Sequence, residues 1–244
     1  MHDSAIKNIK YLKSVTSSND IAKKSSETEA VFVADEQTAG KGSKGRSWQS
    51  RKGDGLYMSF LVRPKIEMLL IPGITLMVAV VVCNAIEQVC GVAATIKWPN
   101  DVLVGGKKVA GILTESVFGA EGVERVVCGI GINTNQRFSG ELQDKAASLE
   151  IRKKSQKMLL CNKVVSSFFE EYDTFLSHGL GFFMPEFRQR SAISGEVTII
   201  EPNAQSTGTL VGFDDTGAII IYIGGEKRRF IAGEISLRGE NGYV

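Results

Sequence analysis

The feature that most limits the fold is a change of texture near residues 190–194. Beyond Ser194, five short apolar segments (196–200, 208–213, 218–223, 227–231 and 233–237) follow one another. They are separated by P-N, D-D-T-G, G-G-E and A-G, residues that turn a chain rather than extend it. Such a run describes a small all-β barrel or sandwich of about 50 residues. Upstream the pattern alternates between strands and helices. Strand-like stretches occupy 30–36, 55–63, 95–97 and 123–132, and Gly105-Gly106 joins 102–104 to 107–115 as a hairpin. Ile6, Ile9, Tyr11 and Leu12 form a short apolar opening. Segments 72–89 and 155–175 read as long helices, the second with Leu159, Leu160, Val164, Val165, Phe168, Phe169 and Phe175 on its apolar face, and 182–190 reads as a short last one. The expected class is α+β, with one domain over 1–192 and a second over 193–244.

A chain of 244 residues, 43% hydrophobic and 23% charged, has ample apolar material for such a core. A net charge of +2 gives no sign of bulk nucleic-acid or membrane binding. Cys83, Cys90, Cys128 and Cys161 are widely spaced without a C-x-x-C, as reduced thiols of a cytoplasmic protein would be. The start has no signal-peptide pattern, and the longest apolar run, around 74–82, is read as too short to span a bilayer. Two histidines and no cysteine cluster argue against a metal site.

Four polar marks fall at expected strand ends. The first is Ser17-Ser18-Asn19, either N-cap residues or hydroxyls and an amide facing a ligand. The second is Gln37 followed by a loop, Gly40 to Arg46, that interleaves Gly40, Gly42 and Gly45 with Lys41, Lys44 and Arg46 before Trp48. Such a loop is either solvated and mobile or an anion cradle built from backbone N–H groups and cations. Lys97-Trp98-Pro99-Asn100-Asp101 is the third, and G-I-G-I-N, Gly129 to Asn133, the fourth. Asn100-Asp101 could serve only the turn, and the glycines could admit a neighbouring backbone.

Together with K-K-V-A-G-I-L-T-E (107–115) and G-E-I-S-L-R (233–238), these segments resemble the biotin–protein ligases over nearly the whole chain. The resemblance implies a class II synthetase-like mixed sheet backed by helices, with a C-terminal SH3-like barrel. It implies activation of biotin by ATP, with Mg²⁺, as biotinyl-5′-AMP, then transfer to one lysine of a biotin carboxyl carrier protein. That chemistry is mainly positioning and charge stabilisation, which suits a chain with no evident nucleophile.

Matched by motif position, Lys97 and Arg46 become the catalytic cations. Ser17, Ser18, Asn19, Gln37, Gly40, Lys41, Gly42, Ser43, Gly111, Gly129 and Gly131 fall with Lys97 on the biotin side. Lys44, Trp48, Asn100, Lys108, Asn133, Glu234 and Arg238 fall with Lys41 and Arg46 on the nucleotide side. Trp48 and Trp98 read first as packing residues. The chain departs from the family's G-R-G-R-R-G-R loop at Lys41 and Ser43, leaving one positive charge fewer and an expectation of weaker adenylate retention. Ser18 stands where threonine is usual, and Ala232 where the family has a glycine. About 14 residues precede the V-T-S-S-N segment, too few for a helix-turn-helix, so a monofunctional ligase without DNA binding is expected. Monomer and homodimer stay open. A lipoate–protein ligase is the nearest alternative, and a non-enzymatic nucleotide- or nucleic-acid-binding module is the other.

Overall fold

The computed structural model describes residues 8–120, 122–201, 204–239 and 243; Ile6 and the 202–203 turn lie outside them. Seven strands form the first sheet: β1 (Ile9–Leu12), β2 (Ala30–Ala34), β3 (Gly55–Val62), β4 (Thr95–Lys97), β5 (Asp101–Val104), β6 (Lys107–Gly119) and β7 (Gly122–Asn133). Their order is β1-β2-β3-β7-β6-β5-β4. β1 and β2 run parallel around the crossover helix α1 (Ser18–Lys23), and the other neighbours are antiparallel.

β7 lies near the middle, and its composition explains both faces of the sheet. Side chains alternate along a strand. Val126, Cys128, Ile130 and Ile132 therefore share one face and join the main core. Val127 on the opposite face packs with Phe32, Leu61 and Ala22 of α1. Gly129, Gly131 and Asn133 continue that second face toward the strand end.

The main core is closed by α2 (Ile71–Cys90) and α3 (Lys154–His178), which pack on each other. Pro72 opens α2 where a missing N–H does no harm, and Gly91 ends it at φ +69°. Apolar residues run all round α2 because it is covered on every side. With the preceding turn, Met68–Cys90 is long and apolar enough to cross a membrane, at mean hydropathy 2.4, but 78% of that window is buried inside the protein. The expectation that no apolar run reaches spanning length is thus corrected: Met68, Leu69 and Leu70 extend the run, and burial makes it a core helix. On α3 the buried stripe is Leu160, Cys161, Val164, Val165, Phe168, Tyr172 and Phe175, whereas Leu159, expected on that face, is 57% exposed. Phe168 stacks on Phe60 of β3 at 4.2 Å between centroids. A short helix α4 (Met184–Gln189) completes the layer.

The last five strands are β8 (Glu196–Glu201), β9 (Ala204–Phe213), β10 (Ile219–Ile223), β11 (Glu226–Phe230) and β12 (Ser236–Gly239). They pair antiparallel in the order β11-β10-β9-β8-β12. No pairing joins β11 to β12 among the described residues, so within them the strands form one antiparallel sheet with two free ends. β12 starts three residues later than expected because 232–234 form a turn with Gly233 at φ +102°. The small sheet rests on the large core through Trp98, 2% exposed, whose Nε1 donates to Gly217 O at 3.0 Å.

Candidate active site

At the start of α1, Ser17 stands at the N-cap with an extended backbone, but its own side chain makes no capping hydrogen bond. Ser17 thus takes the N-cap position expected for this segment, without the side-chain hydrogen bond. Ser18 donates from both N and Oγ to Gln37 Oε1, at 2.8 and 2.9 Å. Asn19 Nδ2 donates to Glu115 Oε2 at 2.8 Å and to Leu113 O at 3.3 Å. Gln37 Nε2 donates in turn to Ser50 Oγ at 2.8 Å. These side chains are spent on the floor of a cleft instead of on the helix end.

The glycines of that floor make room for side chains, not for a neighbouring backbone. A Cβ on Gly129 would lie 2.4 Å from Asn19 Oδ1, and one on Gly131 would lie 2.4 Å from Trp48 Nε1. A Cβ on Gly111 would press on the Trp48 ring at 3.0 Å and on Lys108 at 3.1 Å. Because β7 alternates, the glycines of G-I-G-I-N face the cleft while Ile130 and Ile132 enter the core.

The basic loop folds back on itself. Gly42 N donates to Arg46 O at 2.7 Å and Trp48 N to Gly40 O at 2.8 Å. Lys44 sits at φ +57°. Three tethers hold the loop: Lys41 pairs with Asp20 at 2.7 Å, Arg46 Nη2 donates to Ser43 Oγ at 2.8 Å, and Lys44 Nζ donates to Ser236 Oγ at 3.0 Å. Trp48 Nε1 is buried without an acceptor and faces the cleft floor.

The cleft holds about 600 Å³. Of the residues expected on the biotin side it gathers Ser17, Ser18, Asn19, Gln37, Lys41, Gly42, Ser43, Gly111, Gly129 and Gly131. Of those expected on the nucleotide side it gathers Arg46, Trp48, Asn100, Lys108, Asn133 and Arg238. Lys97, Gly40, Lys44 and Glu234 were expected with them but do not line it. Gly40 lies beneath the loop, where a Cβ would be 2.5 Å from Trp48 O. Lys44 is turned to the small sheet, and Glu234 accepts from Ile231 N at 2.8 Å within its own turn.

Lys97 is 4% exposed, and its Nζ lies 3.5 Å from the centre of the Tyr243 ring. Burial pushes its ammonium down to about 7; Arg238, Lys108 and Arg46 push the same way, while Asp101 opposes them. Lys108 does line the cleft, paired with Asp101 Oδ1 at 2.6 Å. Tyr243 OH donates to the other Asp101 oxygen at 2.9 Å.

Tyr243 and the 134–148 connector went unrecognised in the sequence. Gln136, Phe138, Leu142, Lys145 and Ala146 of that connector line the cleft. Ala147 N donates to Lys108 O at 2.9 Å, so the connector runs alongside β6. Phe138 and Leu142, apolar in a polar stretch, were the available signal. Nothing around Tyr243 marked it. Among the described residues no group of three or more His, Cys, Asp or Glu could hold a metal ion.

Comparison with known proteins agrees with this geometry. The biotin/lipoate A/B protein ligase family matches residues 10–133, and the biotin protein ligase C terminal domain matches residues 195–238. Fold and cleft thus define a ligase of the biotin/lipoate class. The bifunctional ligase/repressor BirA of Bacillus subtilis (strain 168) is 34% identical over 228 residues, covering 90% of this chain and 69% of that protein. The biotin–(acetyl-CoA-carboxylase) ligase of Paracoccus denitrificans is 31% identical over 204 residues, covering 79% of this chain and 83% of that one. Among solved structures, the biotin protein ligase from Aquifex aeolicus in complex with biotin and ATP aligns at TM-score 0.83 and 32% identity, over 96% of this chain and 100% of that one. The chain belongs to the biotin protein ligase family.

Proposed function

We propose that this protein is an ATP-dependent biotin–protein ligase acting through the cleft between α1, the basic loop and β7. A biotin carboxylate oxygen attacks the α-phosphorus of ATP, pyrophosphate leaves, and biotinyl-5′-AMP remains. The amine of a carrier lysine, having shed a proton to solvent, then attacks the acyl carbon, and AMP leaves as the amide forms. The observation that carries this reading is the meeting, in one cleft, of the buried polar groups Ser17, Ser18 and Asn19 with the cations Lys41, Arg46, Lys108 and Arg238. The names of the matched relatives favour biotin over the lipoate alternative.

In this reading Ser17, Ser18 and Gln37 receive the ureido head. Lys108, held by Asp101, and Arg46 stand where negative charge develops on the α-phosphate, as fixed cations in a partly desolvated cleft should. The Trp48 indole N–H, which has no acceptor among the described residues, is assigned to the ligand. Lys97 contributes its charge from behind Tyr243. Mg²⁺ enters with ATP, carried by phosphate oxygens and water and neutralising them. The acceptor is the carrier domain of a carboxylase, the setting is the cytoplasm, and residues 1–192 and 193–244 are the catalytic and tail domains. ATP–pyrophosphate exchange tests the first step. Exchange that requires biotin, and that lipoate does not support, is expected; exchange with lipoate, or none with either acid, overturns the reading.

A further inference from the structure

Ser59 and Glu115 sit behind the cleft and touch the groups that line it. Ser59, on β3, is fully buried and pairs across the sheet with Gly129. Its Oγ lies 2.6 Å from Asn19 Oδ1 and 2.7 Å from Ser18 Oγ. Glu115, on β6, accepts from Asn19 Nδ2 at 2.8 Å through one oxygen and from Lys23 Nζ at 2.8 Å through the other.

Counting protons along this chain fixes its direction. A carboxylate and a carbonyl only accept, so Glu115 and Leu113 O compel Asn19 to turn its NH₂ toward them and its Oδ1 toward Ser59. Asn19 Oδ1 can only accept, so the single Ser59 proton goes there. The Ser18 N–H compels Gln37 to present Oε1. The Ser18 hydroxyl proton then has two acceptors inside the protein, Ser59 Oγ and Gln37 Oε1. It is never offered to the cleft, and Ser18 shows a ligand lone pairs only.

We propose that Ser59 and Glu115 are positioning residues that set this hydrogen-bond polarity, so that the cleft floor receives a ligand N–H donor such as the ring nitrogen of a cyclic urea. The inference rests on the biotin reading and deepens it. A dithiolane carries no N–H and gains nothing from such a floor. The carboxylate at 115 is the stronger of the two acceptors that set the direction, 2.8 Å from Asn19 Nδ2 against 3.3 Å for Leu113 O. With Glu115→Gln the new amide can donate, Asn19 can turn over, Ser59 can donate to Ser18, and the polarity becomes reversible.

The test is titration of the folded protein with biotin and with ATP, on the native chain, Ser59→Ala, Glu115→Gln and Glu115→Ala, with desthiobiotin, which keeps the ureido ring, as a second ligand. Ser59→Ala is expected to weaken biotin and desthiobiotin by about tenfold, the scale of one well-placed hydrogen bond, and to leave the constant for ATP unchanged. Glu115→Gln, which retains an acceptor for Asn19, is expected to fall between native and Glu115→Ala. Equal loss of biotin and ATP binding would mean general loosening and overturn the proposal, as would unchanged biotin binding in both Ser59→Ala and Glu115→Ala. If Ser59→Ala does not fold, the Glu115 pair decides alone. A native chain that binds no biotin would instead defeat the functional reading itself.

Discussion

Lys97 shows what burial does to a charge that motif matching places at a reaction centre. Its ammonium is pushed to about 7, well below the usual 10.5, first by burial and then by Arg238, Lys108 and Arg46. Below pH 7 both folded and unfolded chains carry the proton, and the folded state bears the full cost of a buried charge. Between pH 7 and 10.5 the unfolded chain holds a proton that the folded one has released, so this residue makes stability rise with pH. Lys97→Met is expected to be more stable than native at pH 6.5, with the difference shrinking by pH 9. Urea midpoints at the two values measure it; a constant difference would show that Lys97 titrates normally. Above pH 9 the buried thiols Cys83 and Cys128, pushed up to about 12, act in the opposite sense, so the comparison stops there.

The basic loop is an element whose sequence and tethers point to one property. Ser43 stands where an arginine is usual, and its hydroxyl accepts from Arg46, drawing that guanidinium along the loop. Ser43→Arg removes the acceptor and adds a bidentate phosphate donor. Release of biotinyl-5′-AMP from this variant is expected to slow by about tenfold, the value of one charge-assisted hydrogen bond. Stopped-flow dissociation compares the two chains, and equal rates would remove the loop composition as a cause. Lys41 and Asp20 form the second tether, and Lys41 holds the Asp20 carboxyl below its ordinary range. Asp20→Asn weakens that attachment and is expected to speed protease cleavage within 41–46 in the ligand-free protein. This pair is exposed enough that the effect on global stability should stay below about 1 kcal/mol.

At the scale of the molecule, the small sheet and the large core form one apolar interior, with Val197, Ile199, Ile219 and Ile221 in the same cluster as α2. Gly217 is the point where they press closest. It adopts φ +78°, and a Cβ there would lie 2.1 Å from Leu76 Cδ1 and 2.9 Å from Leu180 Cδ2. Gly217→Ala thus meets both backbone strain and a collision with α2, at a cost of about 2–4 kcal/mol. The expected drop in melting temperature is roughly 5–15 °C for a chain this size. Gly225→Ala, at φ +98° with open space around it, isolates the backbone part and should fall by less. Equal effects would mean that the two sheets do not press together at Gly217. The same contact accounts for Trp98, whose indole N–H reaches the carbonyl of Gly217, so the tryptophan of K-W-P-N-D is a packing residue.

What the sequence determined by itself was local. Period-two alternation in G-I-G-I-N, the Gly-Gly turn between β5 and β6, and the proline and glycine at the ends of α2 are decided by backbone sterics and neighbouring side chains. Of these, the Gly-Gly turn and the helix over 72–89 were read without coordinates, and so was the residue chemistry an acyl-adenylate would require. Which of two lysines lines the cleft was not. Lys97 and Lys108 both lie near strand ends beside polar turns, yet one is sealed behind Tyr243, a residue 146 positions away, while the other faces the cleft. Nor could the sequence show where Ser18 and Asn19 turn their side chains, because their partners come from β3, β6 and the loop after β2. Burial and hydrogen-bond direction are set by what the folded chain brings against a side chain from far along the sequence, and only the tertiary structure assembles those neighbours.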